Sequence, residues 1–471
     1  MRRREFLQVV GAAVAPAVLP KPDLAGLAGA IPTDTEQQLI VTGVRAALDK
    51  SLYPPLLERA YPGHFTVVAD GKGYGAENTW PGLDSWEMAG AYLLVGKHRE
   101  VLDYFDFVQA SQRADGDVPF AIFSADKPVE ARGMRYPEDV YTYKPVVRPG
   151  QPTYSNMSAR KWIGYFTHWQ IHVNPMSVLG PICFVLTGQE IFAATKSDTW
   201  LTEKLPALEA AGRYLLTRIS PNGLMSGAGF YMESPPRNQW DGVTQCYGIR
   251  AFRQLAALNE ILGRRDAVAT WNRHADTLRA QFLKVFWQRD HFAEYVHPEH
   301  GLVDLHGLSD VNWAAIGLEV ATKDQIQRLW PILMHEPMFW RGGMPTHLVT
   351  KPSTYEKWEF AEPLPFKYEG YVTNTNEVAA MGRTWYLEVL ACLRMHEYRR
   401  LREAVLKVCQ MGQKSGWLWY ERYRGGEGNT VKPVGSYGYC EYAAILVRAV
   451  LGNPAVFPES KDFGSESKKA T

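Results

Sequence analysis

The sequence predicts an all-α protein whose helices pair into six hairpins that close into an (α/α)6 toroid. Twelve segments have helical character, short and long connections alternate between them, and strand signals are sparse. His64 to Val68 and residues 138–147 predict only short hairpin strands. The twelve helical segments are 35–48, 84–96, 98–113, 170–188, 197–219, 242–262, 266–287, 310–320, 323–336, 374–396, 397–414 and 436–451.

The segment 242–262 illustrates the helical pattern, because its apolar residues recur at intervals of three and four positions. Gly263 ends this helix, and Arg264 opens the next segment. A hairpin with one apolar face must bury that face against its neighbours, and a closed ring of six hairpins does so. One end of such a ring carries the long loops, and we expect the functional residues there.

Residues 1–30 have the pattern of a twin-arginine export signal. The arginines at positions 2–4 precede Phe6 and Leu7, an apolar run follows, and the small residues at 28–30 offer a cleavage site. An ordinary signal peptide or an uncleaved anchor is the alternative interpretation. We therefore expect the twin-arginine export machinery as a partner, and a periplasmic or secreted location in a bacterium.

The chain after the signal is predicted to form one catalytic domain over residues 31–457, followed by a disordered tail over 458–471. With 51 basic and 50 acidic residues the net charge is +1, which gives no attraction to nucleic acid. No later stretch predicts a stable membrane span. The five cysteines lack C-x-x-C spacing and are interpreted as core residues, with a disulfide left open. No metal-ligand spacing appears, and we expect neither a metal nor a cofactor.

The segment 78–87 opens the second predicted helix and contains Trp80, Asp84 and Trp86. An indole offers an apolar face to the C–H face of a sugar ring, and a carboxylate accepts hydrogen bonds from its hydroxyl groups. We predict that all three residues bind substrate. Asp84 is equally well placed to cap the helix, which is the alternative.

The segment 233–241 precedes the helix 242–262 and contains Arg237, Trp240 and Asp241. Asp241 is also placed as an N-cap, but a cap needs neither an indole beside it nor an arginine upstream. A carboxyl next to an indole is partly desolvated, which favours the protonated form that a general acid requires. We predict Asp241 as a catalytic residue, and Arg237 and Trp240 as substrate-binding residues.

A third segment surrounds the start of the predicted helix 374–396 and contains Asn376, Arg383 and Trp385. Arginine and asparagine bind hydroxyl groups, and tryptophan binds ring faces. We predict that these three residues bind substrate, with loop packing and helix capping as the alternative.

A fourth segment, near the C-terminus, contains Trp419, Glu421 and Tyr437. Glu421 lies among aromatic residues at the end of a short extended run, and we predict it as the second catalytic residue. Trp419 and Tyr437 are predicted to bind substrate. A salt bridge to Arg422 is the alternative for Glu421, and Glu441 is the rival carboxylate.

Two carboxyl groups suit the cleavage of a glycosidic bond. One protonates the leaving oxygen, and the other activates a water on the opposite face of the sugar. In an inverting enzyme the two groups lie roughly 6.5–9.5 Å apart to admit the water. Asp241 as acid and Glu421 as base fit this plan if the loop end of the toroid brings them together.

The chain resembles the six-hairpin glycosidases, most closely glycoside hydrolase families 37 (trehalases) and 63 (processing α-glucosidases and bacterial relatives). Those families carry a W-D helix entry followed by Q-x-x-D-G-x-x-P, an acid in an E-S-G-W-D-type loop, a W-R-G-P-I-W segment, and a base in E-x-Y-x-x-x-x-G. The similar stretches here are Asp84 to Trp86 with Gln112 to Pro119, Glu233-Ser234 with Trp240-Asp241, Met381 to Trp385 or Trp340 to Gly342, and Glu421 to Gly428.

The resemblance covers most of the chain after the signal, with loose motifs. It implies the toroid fold, hydrolysis of an oligosaccharide or small glycoside, Asp241 as general acid and Glu421 as general base. The full trehalase signature is absent, so the resemblance does not imply trehalose as the substrate.

Two other classes of function compete with an inverting, exo-acting glycoside hydrolase. A polysaccharide lyase or sugar epimerase is the first, and Tyr165, His168 and His172 offer the Tyr/His pair that a lyase needs. A non-catalytic sugar-binding protein is the second. Unsaturated, ultraviolet-absorbing products indicate a lyase, and unchanged function in Asp241→Asn indicates a binding protein.

Overall fold

In the computed structural model, the structure describes residues 33–57, 67–69, 78–82, 85–124, 140–143, 162–165, 178–227, 240–351, 356–359, 379–425 and 430–463. The α-helices in these ranges are α1 (Asp34–Ala46), α2 (Tyr53–Leu57), α3 (Ser85–Leu94), α4 (His98–Gln109), α5 (Leu179–Thr195), α6 (Asp198–Thr217), α7 (Gly242–Ile261), α8 (Arg265–Phe286), α9 (Asp310–Gly317), α10 (Lys323–His335), α11 (Gly382–Arg394), α12 (Tyr398–Lys414) and α13 (Glu441–Leu451). The strands are β1 (Asn78–Thr79), β2 (Ala121–Ser124), β3 (Val140–Tyr143), β4 (Trp162–Tyr165), β5 (Trp240–Asp241), β6 (Tyr295–His297), β7 (Gly301–Val303), β8 (Ala380–Met381), β9 (Tyr420–Gly425) and β10 (Val431–Tyr437).

An inner ring of helices forms the core. Among the described helices, α3, α5, α7, α9, α11 and α13 each contact the next, and α13 returns to contact α3. Every residue of α5 from Leu179 to Ala193 is buried, as is every residue of α13 from Glu441 to Val450. A helix that is buried on all sides belongs to the inside of a large domain. The closed ring confirms the predicted (α/α)6 toroid.

The outer helices α4, α6, α8, α10 and α12 cover this ring, and each follows its inner helix in the chain. They are amphipathic, as helices with one face in water must be. In α8 the buried residues are spaced by three or four positions. They are Trp271, Ala275, Leu278, Phe282 and Phe286.

The first and last helices together form the sixth hairpin. Helix α1 lies outside α13, and the π-helical turn Ala47–Leu52 that continues α1 also packs on α13. The backbone N–H of Cys440 donates to the Val67 carbonyl (2.7 Å), and the Tyr92 hydroxyl donates to the Leu52 carbonyl (2.8 Å). The first contact ties the N-terminal segment to the last inner helix and the second ties it to α3, so together they close the ring.

Small antiparallel sheets cover one end of the ring. Their strand orders are β1-β2-β4-β3, β5-β6-β7 and β10-β9-β8. Strands β5 and β8 lead directly into α7 and α11. Because each inner helix is followed by a short turn and a returning outer helix, the inner helices all begin at this end. The strand β3 confirms the extended segment predicted over 138–147.

Three helices begin later than the sequence predicts. Helix α5 begins at Leu179 and ends at Thr195 instead of 188, since it is apolar on every side and has no periodic pattern to fix its ends. Helix α11 begins at Gly382, and the final helix begins at Glu441 because residues up to Tyr437 belong to β10. Residues 170–177 lie outside the described residues.

The predicted disordered tail is wrong for its first part. Pro458–Phe463 is a 3-10 helix in which Phe463 is buried, and Glu459 accepts a hydrogen bond from Arg402 at 2.5 Å. The signal at 1–30 and the rest of the tail lie outside the described residues. All five cysteines are free and buried, which confirms their interpretation as core residues. None of the described helices is long and apolar enough to cross a lipid bilayer.

Candidate active site

The end where the inner helices begin gathers buried charged residues. Asp241 caps α7, and the first turns of α3, α9, α11 and α13 contain Glu87, Asp310, Arg383 and Glu441. Each of these side chains is at most 2% exposed. Charged side chains are almost never fully buried unless they are paired, so this concentration marks the end as the candidate active site.

Asp241 is held rigidly at the start of α7. Its Oδ2 accepts a hydrogen bond from the backbone N–H of Thr244 at 2.7 Å, and its carbonyl accepts one from Gln245 Nε2 at 3.0 Å. Strand pairing sets Asp241 opposite Tyr295 of β6. The capping role given as the alternative is therefore present, and it fixes the carboxyl at the loop end of the ring.

Trp240 does not have the role expected beside Asp241. Its indole Nε1 donates to Ser220 Oγ at 3.0 Å, and successive residues of a strand point to opposite faces. The expectation that this indole desolvates the Asp241 carboxyl is corrected, because the indole is directed to the Ser220 side. Asp241 is withdrawn from water by the packing around the start of α7.

Glu421 lies on β9 and keeps access to solvent, with 16% of its side chain exposed. Its Oε2 accepts a hydrogen bond from the backbone N–H of Ser436 on β10 (3.2 Å), and Arg422 Nε lies 3.5 Å from its Oε1. Gly435 lies beside the carboxylate, and a Cβ built there would meet Oε2 at 2.3 Å. The ion pair given as the alternative is present, and the carboxylate is oriented from both strands of the hairpin.

The rival carboxylate, Glu441, is in a different environment. Arg383 Nε binds its Oε1 at 3.0 Å, and both side chains are about 2% exposed. This ion pair joins the first turns of the neighbouring inner helices α11 and α13. Glu441 and Arg383 therefore stabilise the ring at this end.

The two predicted catalytic residues lie at the same end of the ring, on different elements. Asp241 caps α7, and Glu421 is on β9, which pairs with β8 at the start of α11. Helix α9 lies between α7 and α11 in the ring. Two carboxyl groups far apart in the chain therefore lie at the same end of the ring.

Three of the predicted substrate-binding tryptophans, Trp80, Trp385 and Trp419, are core residues. Trp80 packs edge-on against Phe120, Trp385 stacks on Tyr442, and both indoles are buried. Trp419 is fully buried and donates to the Val408 carbonyl (3.0 Å). Their abundance near the loops reflects packing, which corrects the expectation that they present ring faces to a sugar.

Trp86 also belongs to the core, at the axis of the ring. Its Nε1 donates to Glu190 Oε1 at 2.5 Å, and Arg448 Nη2 binds the same oxygen at 2.6 Å. Arg448 lies 5.2 Å from the Trp86 ring and 4.4 Å from the Tyr386 ring. These contacts join α3, α5, α11 and α13, so Trp86 is corrected from a substrate-binding residue to part of the axial network.

The remaining predicted residues divide into two groups. Tyr437 is 47% exposed on β10 and donates to the Ser415 carbonyl (2.8 Å), so its binding role stays a prediction. Tyr165 lies on β4. The others lie outside the described residues, and they are Asp84, Arg237, Asn376, His168 and His172. Within the described ranges, no group of three or more His, Cys, Asp or Glu side chains is arranged to bind a metal ion.

A buried cluster next to Asp241 was missed by the sequence analysis. His306 Nδ1 binds Glu294 Oε2 at 2.6 Å, and its Nε2 lies 3.5 Å from Glu359 Oε1. Tyr295, the strand partner of Asp241, donates to the same Glu359 oxygen at 2.7 Å. No motif in the sequence marks this cluster, because the partners of His306 lie 12 and 53 positions away in the chain.

This cluster makes stability depend on pH. Burial lowers the pKa of His306, but the two carboxylates outweigh it and raise the pKa to about 9. The folded pKa thus lies above the ordinary value near 6.5, so the stabilisation is complete below about pH 6.5 and is lost as pH rises through 9.

His306→Gln is expected to lower the free energy of unfolding by up to about 3 kcal/mol near pH 7, with a smaller loss near pH 9.5. Urea denaturation at both pH values measures the difference. The control is His335→Gln on α10, an exposed histidine, with an expected change of about 0.5 kcal/mol or less. A loss from His306→Gln that is the same at both pH values would contradict the assignment.

Comparisons with solved structures establish the fold. The chain is similar to a glycoside hydrolase family 63 mannosylglycerate hydrolase from Thermus thermophilus in complex with glucose, with a TM-score of 0.56 and 11% identity over 87% of this chain and 99% of that one. It is also similar to a glycoside hydrolase family 78 rhamnosidase of Bacillus sp. GL1 (TM-score 0.52, 14% identity, 86% of this chain) and a Klebsiella oxytoca rhamnosidase with rhamnose bound (TM-score 0.52, 13% identity, 89% of this chain).

The chain spans 34% of the Bacillus rhamnosidase and 64% of the Klebsiella one, so it corresponds to one part of each. No protein-family model matches the sequence, and no curated protein matches it. The protein is thus an (α/α)6 toroid of the architecture found in these glycosidases.

Proposed function

We propose that this protein is an inverting, exo-acting glycoside hydrolase that acts on an oligosaccharide or small glycoside. The observation that supports this most is the placement of Asp241 and Glu421 at one end of an (α/α)6 ring, on elements separated by one inner helix. The similar structures, which are named as a mannosylglycerate hydrolase and rhamnosidases, agree with a sugar substrate.

In this proposal Asp241 is the general acid. Its backbone and its Oδ2 are fixed by the start of α7, so the carboxyl is positioned before substrate arrives. Such preorganisation favours proton transfer to the leaving oxygen, because no reorganisation is needed as the bond breaks. Burial excludes competing water from the acid.

Glu421 is the general base. It is partly exposed, whereas Glu441 is buried and bound to Arg383, so a water can reach Glu421. The Ser436 N–H and Arg422 orient its carboxylate. Glu421 removes a proton from this water as the water attacks the anomeric carbon from the face opposite to the leaving group.

The export route is part of the proposal. The arginine-rich start of the chain and the apolar run after it support export through the twin-arginine machinery and a periplasmic or secreted location.

A screen of aryl glycosides and disaccharides tests the function, with the anomer of the first-formed product followed by NMR. An inverting enzyme releases the anomer opposite to that of the substrate. Retention of configuration would contradict the assigned base role of Glu421. An unsaturated product that absorbs in the ultraviolet would indicate elimination by a lyase instead of hydrolysis. Sugar binding without turnover would indicate a non-catalytic sugar-binding protein.

A further inference from the structure

A cleft lies on the outer wall of the toroid, between α10 and α12. Its volume is about 640 Å³, within the range of roughly 300–1,000 Å³ that is usual for small-ligand pockets. The 3-10 segment Pro337–Gly343 forms one side of it. We call it the Arg341 cleft and define it by Met334, Met338, Trp340, Arg341, Arg400 and Lys407.

The Arg341 cleft carries more positive than negative charge. Arg341, Arg400 and Lys407 line it, and among the lining residues Glu336 is the acid. Glu336 Oε1 is used to accept a hydrogen bond from the backbone N–H of Met338 at 2.9 Å.

Two guanidinium groups in the cleft have unused donors. Arg400 Nε binds Glu388 Oε1 at 2.5 Å, but its buried Nη2 has no hydrogen-bond partner in the described part of the chain. Glu388 has little capacity left, since it also accepts hydrogen bonds from Trp340 Nε1 (3.0 Å) and from Thr346. An unused buried donor costs free energy, and Nη2 of Arg400 retains that cost in the structure.

Arg341 is the stronger case. Its buried Nε has no partner among the described residues, and no carboxylate of those ranges forms an ion pair with it. The nearby His347 is fully buried, and burial lowers its pKa to about 4, so it is a neutral imidazole near pH 7 and does not balance the charge of Arg341. A half-buried cation without a counter-charge fits a site whose counter-charge arrives with a ligand.

The cleft also has apolar surface. Trp340 is partly buried, with Arg400 4.3 Å and Lys407 5.3 Å from its ring centroid, and two methionines lie nearby. Aromatic and thioether groups next to guanidinium groups suit a ligand that has both an apolar ring face and an anionic group.

We propose that the Arg341 cleft is a second binding site, separate from the Asp241 and Glu421 carboxyl groups, that takes the carboxylate of an acidic sugar. Arg341 and Lys407 bind the carboxylate, and the Trp340 side of the cleft contacts the sugar ring. The site is defined by binding alone, so its test is independent of the proposed hydrolysis. Arg341 also packs against Gly425, the last residue of β9, which connects the cleft to the strand that carries Glu421.

The test compares methyl glucuronide, methyl glucoside and inorganic sulfate by isothermal titration calorimetry. The protein is the full chain with Asp241→Asn, so that no turnover consumes the probe. We expect the glucuronide to bind about tenfold more tightly than the glucoside, because one charged hydrogen bond accounts for that ratio. Arg341→Gln and Lys407→Gln should each remove most of this preference.

Arg328→Gln is the matched control, since Arg328 lies exposed on α10 and does not line the cleft. It should leave the preference unchanged. Lys407 is 29% exposed and its partner in an ion pair is the exposed Glu403, so Lys407→Gln is expected to cost the fold little and serves as the second variant. Equal affinity for the two sugars, sulfate binding as tightly as the glucuronide, or a preference that survives both variants would each overturn the proposal.

Discussion

Replacing Asp241 by Asn is expected to lower the turnover of a glycoside with a poor leaving group by about 10²- to 10⁴-fold, the usual contribution of a general acid. Asparagine caps a helix as well as aspartate does, so the hydrogen bond to the Thr244 N–H is kept and the fold is unchanged. The loss should shrink for aryl glycosides with good leaving groups, because these need no proton.

Glu421→Gln is expected to lower turnover by a similar factor for every leaving group, because the attacking water then lacks a base. The amide oxygen still accepts from the Ser436 N–H, which preserves the hairpin. Steady-state kinetics on a leaving-group series separates the two roles. Glu260→Gln is the control, since Glu260 is exposed near the far end of α7 and should have full activity. Normal turnover in Asp241→Asn or Glu421→Gln would refute the pair.

The axial ion pair is expected to have the largest effect on stability. Arg448 and Glu190 are buried, and Arg448 also donates to the Trp86 carbonyl at 3.0 Å. Burial raises the pKa of Glu190, opposed by Arg448. Arg448→Met leaves this carboxylate without its cation, and removing one partner of a buried pair costs about 3–5 kcal/mol of unfolding free energy.

Urea denaturation followed by tryptophan fluorescence measures this loss. Lys97→Met breaks the surface pair of Lys97 and Glu100 and should cost less than about 1 kcal/mol. Glu190→Gln should be milder than Arg448→Met, because the amide oxygen still accepts from Trp86. If the free energy of unfolding of Arg448→Met lies within about 1 kcal/mol of that of the unchanged protein, the ion pair does not stabilise the ring.

The helices were predictable wherever one face meets water. Segments 242–262 and 266–287 became α7 and α8 within one residue, because Gly263 and the polar residues after it mark the turn. Helix α5 was misplaced, since a helix buried on all sides has no polar stripe to locate it. The β9–β10 hairpin was missed because its sequence alternates weakly between exposed and buried positions.

The sequence predicts which residues of the candidate site lie at the starts of helices. It does not predict which residues pair with one another across the ring. Asp241 precedes a periodic segment, so its place at a helix start could be inferred from the sequence. Glu190 and Arg448 are 258 positions apart, and only the closed ring brings them together. The prediction that the tryptophans bind substrate was wrong for a physical reason. Large aromatic groups fill the core beneath the same loops that carry a site.

The pairing of α1 with α13 has a consequence for how the protein is made. The earliest and the latest parts of the domain are neighbours, and the Arg45 guanidinium lies 5.9 Å from the Phe463 ring. During synthesis the ring of hairpins cannot close until α13 has left the ribosome, because α1 packs against α13. Bringing together two helices so far apart in the chain is slow. Docking of α1 against α13, more than the formation of any one hairpin, is then the step that removes the core from water.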